Sequence, residues 1–189
     1  MSSKNLVIIG VSTGGPLTLK KMFSELPQLN AAILVVLHIS PDMDYRIAQG
    51  LDESACMPAA LARHGEFLSP GRIYLAPGGF HLKLEGNHRV VLCDGPRVNY
   101  VQPAIDVTML SVTRPGSGEL IGVIMTGMGK DGAAGLRHLK DIGATTIAQD
   151  QKSCVIYGMP KAALDTGAVD FVLTPKGIAG KLVELLGTR

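Results

Sequence analysis

The chain of 189 residues carries 18 basic and 16 acidic side chains, 46% hydrophobic residues, 4% aromatics and three cysteines. That length fits a single domain, residues 1–189, with enough apolar material for a core and too little charge for a disordered chain. A net charge of +2 without any basic block speaks against nucleic-acid binding. No apolar run approaches the ~20 residues needed to span a bilayer, so no membrane insertion is expected. Cys56, Cys93 and Cys154 are odd in number and far apart, which suits neither a disulfide framework nor a CxxC metal site and makes a reducing cytoplasm the expected compartment. The opening Met1-Ser2-Ser3-Lys4 lacks the charged and apolar regions of a secretory signal.

Short apolar runs alternate with helical patterns along the chain. LVIIGV at residues 6–11 predicts a buried strand, and residues 16–26 an amphipathic helix stopped at Pro27. A second buried strand is expected at 31–37, a helix at 43–53, and short strands at 59–63 and 73–76. Residues 81–84 and 89–93 flank Gly86-Asn87, a turn pair that predicts a β-hairpin, the one antiparallel element expected. A helix at 104–113, a strand at 121–125 and a helix at 132–140 follow. Strands at 144–149 and 170–173 and helices at 160–164 and 176–186 complete the series. Buried parallel strands need helices on both faces, so the expected architecture is α/β: a doubly wound three-layer sandwich, mainly parallel, with one antiparallel β-hairpin.

Ligands of such folds sit beyond the carboxyl ends of the strands. Three reactive side chains pass that filter: Ser12 after the first strand, His38 after the second, and Asp131 in the glycine-rich turn after the strand at 121–125. A hydroxyl, an imidazole and a carboxylate on one rim are the inventory of a serine hydrolase, in which the imidazole takes the hydroxyl proton and the carboxylate orients the imidazole. Gly10-Val11-Ser12-Thr13-Gly14 has the G-x-S-x-G spacing of a strand-to-helix nucleophile turn, which aims the Thr13 N–H and a helix N-terminus at the site. Each residue also has a plainer reading. The Ser12 turn could cradle a phosphate, although G-x-G-x-x-G is absent; His38 could be a structural hydrogen-bonder; Asp131 could cap the helix at 132–140. Asp150, after another strand, is a rival orienting carboxylate, and Asp106 falls within a helix. His64, His81, His88 and His138 lack metal-ligand spacing, with His81 and His88 expected to be exposed on the hairpin. Cys93 reads as a small packed residue.

Ile8–Pro16 (IIGVSTGGP), Val35–His38 (VVLH), Ser69–His81 (SPGRIYLAPGGFH), Val123–Leu136 (VIMTGMGKDGAAGL), Ala148–Leu164 (AQDQKSCVIYGMPKAAL) and Gly167–Leu173 (GAVDFVL) together resemble the catalytic domain of the CheB-type chemotaxis receptor methylesterases. The resemblance implies hydrolysis of glutamyl γ-methyl esters on the cytoplasmic helices of methyl-accepting chemoreceptors, with deamidation of receptor glutamines in some members. It implies Ser12 as nucleophile, His38 as base, Asp131 as orienter, and the Thr13 and Met128 backbone N–H groups as oxyanion donors, with no cofactor and no metal. Where many members carry asparagine-glycine-histidine-arginine-proline-serine, this chain has Asn99-Tyr100-Val101-Gln102-Pro103-Ala104, without the usual basic and imidazole side chains, and it also departs at Leu37 and Lys130. It starts a few residues before its first strand, so the expectation is a stand-alone domain without a phosphorylatable receiver, regulated, if at all, by a separate protein. The competing expectations are a catalytically silent binding module of the same fold and a phosphate- or nucleotide-binding α/β protein.

Overall fold

The computed structural model describes residues 5–114 and 116–188; Met1–Lys4, read above as lacking a secretory signal, lie outside them. Seven strands form one parallel sheet: β1 (Leu6–Val11), β2 (Ala32–Leu37), β3 (Ala59–Leu61), β4 (Arg72–Leu75), β7 (Leu120–Ile124), β8 (Thr145–Gln149) and β9 (Phe171–Leu173), in the order β3-β4-β2-β1-β7-β8-β9. The remaining pair, β5 (His81–Glu85) and β6 (Arg89–Cys93), is the expected antiparallel hairpin. Six α-helices complete the described fold: α1 (Gly15–Ser24), α2 (Asp44–Ser54), α3 (Ile105–Leu110), α4 (Ala133–Asp141), α5 (Met159–Asp165) and α6 (Pro175–Leu186).

The strands of the sheet centre are apolar on both faces, and alternate residues supply two cores. Val7, Ile9 and Val11 of β1 pack with Leu19, Met22 and Phe23 of α1, Leu51 of α2 and Leu182 of α6. Leu6 and Ile8 face the other way, toward Ile105 and Met109 of α3, Leu136 and Leu139 of α4, Met159 of α5 and the hairpin residues Leu82, Leu84 and Val90. This is the doubly wound sandwich that two-faced burial requires. The predicted helix at 104–113 is shorter than its pattern. It stops at Leu110, and Ser111 turns its hydroxyl to the Thr108 carbonyl (2.7 Å) while accepting the Leu84 N–H (2.9 Å), which spends the next residues on the hairpin.

One expectation fails on the hairpin. His81 is buried, with 4% of its surface exposed, because Nδ1 accepts the Ala104 N–H (3.2 Å) and Nε2 lies 3.0 Å from the Pro96 carbonyl. The imidazole ties the hairpin to the start of α3. His88 is exposed as expected and stacks on Phe67.

The chain winds from β1 toward β4 on one side and from β7 toward β9 on the other. The strand order therefore reverses between β1 and β7, where a doubly wound sheet opens its ligand crevice. Gly10 sets how closely α3 approaches that point, since a Cβ there would lie 2.6 Å from Ile105 Cγ2 and 2.9 Å from Ile124 Cδ1. We expect Gly10→Ala to lower the urea midpoint with unchanged slope, a loss of about 1–3 kcal/mol from overpacking. An unchanged midpoint would show that α3 can retreat freely.

Candidate active site

Ser12, His38 and Asp131 come from the carboxyl ends of three adjacent strands. Val11 of β1 pairs with Leu37 of β2, so Ser12 and His38 leave neighbouring strands side by side, and Gly10 pairs with Ile124 of β7, the strand that leads to Asp131. The Ser12 N–H donates to the Thr126 carbonyl (2.9 Å) and the His38 N–H to the Val11 carbonyl (3.3 Å), carrying the sheet pairing into the site. Residue 127 must lack a side chain here, because a Cβ would fall 2.7 Å from Ser12 Cβ and 2.3 Å from Met159 Sδ.

His38 Nε2 lies 2.7 Å from Asp131 Oδ2, with side chains 11% and 3% exposed. Among the described residues, no hydrogen bond joins Ser12 Oγ to the imidazole. With Nε2 engaged by Asp131, Nδ1 is the ring nitrogen left for the hydroxyl, and such bonds commonly tighten only when substrate binds. The Asp131 carboxylate accepts three further bonds: Ile105 N–H to Oδ2 (2.6 Å), Asp106 N–H to Oδ1 (3.1 Å) and Asn99 Nδ2 to Oδ1 (2.8 Å). Burial raises the pKa of Asp131, but the bonds from His38, Ile105, Asn99 and Asp106 outweigh it and hold the carboxyl below its ordinary value.

Asp131 caps the start of α3 rather than its own helix. The start of α4 is instead capped by Asp106, whose Oδ1 accepts the Gly132 (3.0 Å) and Gly135 (2.7 Å) N–H groups. The two carboxylates thus exchange helix starts, and Asn99 Nδ2 bonds both, reaching Asp106 Oδ2 at 2.8 Å. Burial and then the neighbouring Asp131 charge push Asp106 above the ordinary carboxylate value, against the bonds that it accepts. Asp150, the rival orienter, precedes a short 3₁₀ turn after β8, three strands from β2, and accepts the Ser153 hydroxyl.

Thr13 is exposed, as is Met128, and neither backbone N–H has a protein acceptor among the described residues. The loop that carries Thr13 is pinned by Thr126, which is fully buried. Its hydroxyl donates to the Thr13 carbonyl (2.9 Å) and accepts the Val155 and Ile156 N–H groups (3.1 Å each), and its own N–H donates to Gln149 Oε1 (2.8 Å). The cysteines are poor nucleophile candidates. Burial, with the Asp150 charge, pushes the Cys154 thiol up to about 11, while Cys93 Sγ contacts the His81 carbonyl at 3.6 Å. Among the described residues, no group of three or more His, Cys, Asp or Glu side chains is placed to hold a metal ion.

Asn99, Asp106 and Thr126 were not singled out as site residues from sequence. Asn99 did carry a sign, since it and Pro103 are the positions at which the 99–104 stretch keeps the family pattern. Thr126 and Gln149 lie inside family-like segments, but their residue type and spacing give no sign of their pairing, which only the fold brings about.

A protein-family profile described as CheB methylesterase matches residues 7–182. The chain belongs to the CheB methylesterase family. It is 42% identical over 185 residues to the protein-glutamate methylesterase/protein-glutamine glutaminase of Symbiobacterium thermophilum, covering 97% of this chain and 51% of that relative. A relative of the same name from Photorhabdus laumondii is 40% identical, over 92% of this chain and 50% of its own length. The chain spans about half the length of the curated relatives it matches. The crystal structure of the Thermotoga maritima CheB methylesterase catalytic domain superposes with a TM-score of 0.91 at 38% identity, covering 98% of this chain and 100% of that one.

Thr126→Val keeps the shape but leaves the Val155 and Ile156 N–H groups without their acceptor. We expect a loss of about 1–3 kcal/mol in urea denaturation, the cost of several partly buried hydrogen bonds to one fully buried hydroxyl. A change inside about 0.5 kcal/mol, the range of ordinary surface substitutions, would mean that the loop finds other partners.

Proposed function

We propose that this chain is a serine hydrolase that removes methyl groups from glutamyl γ-methyl esters on the cytoplasmic helices of methyl-accepting chemoreceptors. Ser12 is the nucleophile, His38 the general base and Asp131 the carboxylate that orients the ring. The observation that carries this reading is the 2.7 Å contact between a largely buried imidazole and a buried carboxylate, on the strand ends next to Ser12 at the switch point of the sheet. Membership of the methylesterase family supplies the substrate class.

The chemistry follows from the parts. His38 takes the Ser12 proton, and Oγ attacks the γ-carbonyl carbon. The negative charge then resides on the former carbonyl oxygen, for which the proposed donors are the Thr13 and Met128 N–H groups, without protein acceptors among the described residues, helped by the N-terminus of α1. Collapse breaks the carbon–methoxy bond, and His38 returns the proton to release methanol. Water, deprotonated by the same ring, cleaves the glutamyl-serine ester to give the free carboxylate and regenerate Ser12. Asp131 keeps its charge throughout and stabilises the imidazolium. Attack on a γ-amide would release ammonia by the same steps, and the glutaminase in the relatives' names supports that second activity.

The working compartment is the cytoplasm, and a separate regulatory protein is the proposed means of control. Among the described residues no helix is long and apolar enough to cross a membrane.

Methanol release from methylated receptor membranes tests the assignment. Ser12→Ala should stay folded and lose about 10⁶ in kcat. Asp131→Asn should lower kcat by up to about 10⁴ through the wrong tautomer, whereas Asp150→Asn should cost far less. Release by Ser12→Ala within tenfold of the parent would sink the serine mechanism, and a reversed ranking of the two aspartates would sink the choice of orienter.

A further inference from the structure

Two buried carboxylates lie on either side of one amide. Asn99 Nδ2 has two hydrogens, and it donates to Asp131 Oδ1 and to Asp106 Oδ2, each at 2.8 Å. Asp131 holds His38, and Asp106 holds the N–H groups of Gly132 and Gly135, which follow Asp131 in the chain. Asn99 therefore fixes Asp131 from two directions: directly at its oxygen, and through Asp106 at the backbone on which it is mounted. We propose that Asn99 is a positioning residue of the triad, its amide locking Asp131 in the orientation that His38 requires. This inference rests on the serine-hydrolase reading of the site.

The backbone supports a dedicated placement. Asn99 (φ 52°) and Tyr100 (φ 68°) occupy the left-handed region in succession, closed by mutual hydrogen bonds between Val98 and Val101. Asparagine tolerates that region better than most residues. Tyr100 has 92% of its surface exposed, so it makes little contact that would offset a conformation unfavourable to an aromatic residue. The turn is held in this shape while its asparagine reaches inward to the carboxylates.

The chemistry explains why an amide is needed. Asp131 and Asp106 repel one another when both are ionised, and a donor shared between them offsets that repulsion. The amide supplies one hydrogen to each without adding charge. The titratable groups around it are Asp131 and Asp106, then His38 through Asp131, while His81 bonds the Ala104 N–H one residue before α3. Arg97 and Lys130, the nearest charges in sequence to Asn99 and Asp131, are exposed. Without the Asn99 donor, Asp131 becomes a more basic partner for the imidazolium. The Asp131 carboxyl, now less strongly held below its ordinary value, takes up its proton at higher pH, and the acid limb of the rate profile moves upward with it.

Two substitutions separate positioning from folding. Asn99→Gly keeps the left-handed turn and removes the amide. Asn99→Asp keeps the size and turns a donor into an acceptor. Each is compared with the parent in urea stability, in methanol release, and in the rate of Ser12 labelling by a small fluorophosphonate across pH, which does not depend on receptor recognition. We expect kcat and labelling rate at neutral pH to fall ~10- to 100-fold in both, as misplacement of a reacting group produces, with KM little changed and the acid limb shifted to higher pH. Asn99→Asp should be at least as slow as Asn99→Gly. An active parent with variants that label at its rate, or that lose activity only in proportion to folded protein with an unmoved acid limb, overturns the inference alone. A folded parent that neither labels at Ser12 nor releases methanol overturns the functional reading and the inference with it.

Discussion

The Asp131 carboxylate receives one hydrogen bond from the His38 ring, one from the Asn99 amide and two from the backbone at the start of α3. A charge with 3% of its side chain exposed would ordinarily protonate rather than pay for desolvation. Four donors converging from three parts of the chain make the ionised form the stable one. The same bonds join the end of β2, the 99–104 loop and the first turn of α3, so the carboxylate bonded to the imidazole also assembles that side of the rim.

The serine side is organised by different means. Ser12 leaves β1 at the point where the sheet reverses its winding, between the strand that delivers His38 and the strand that leads to Asp131. The Thr13 loop is held by the Thr126 hydroxyl from beneath, which leaves the Thr13 N–H without a protein acceptor among the described residues. Close packing sets the distances, with Gly127 against Ser12 and Gly10 against Ile105. Ile105 lies in that packed layer and also donates its N–H to Asp131, so crowding at Gly10 would be felt at the carboxylate.

Much of this was legible in the sequence, for local reasons. A strand buried on both faces reads as a short apolar run, and 6–11, 31–37 and 121–125 are such runs. Reactive residues at their carboxyl ends needed only the rule that ligands gather there, so Ser12, His38 and Asp131 stand out. The plainer reading of Asp131, as a cap for the helix at 132–140, names the wrong helix. The sequence places it one residue before Gly132, while its cap partners Ile105 and Asp106 are more than twenty residues away and only the fold brings them near. His81 looks like an exposed hairpin residue in the sequence because its donor and acceptor partners, the Ala104 N–H and the Pro96 carbonyl, lie outside the hairpin. Asn99 and Thr126 follow no hydrophobic period, so pattern reading passes over them. Buried polar residues declare themselves through partners, and those partners are distant in sequence.

The most direct test of this account is a carbon-13 NMR titration of the aspartate carboxyl groups in the folded chain. The ionised form of Asp131 is stabilised by His38, two amides of α3 and Asn99, whereas Asp106 carries the burial penalty and its neighbour's charge. Asp131 should therefore titrate below the ordinary aspartate value of 3.8 and Asp106 above it. Asp131 retaining its proton to higher pH than Asp106 would contradict the arrangement on which the proposed triad depends.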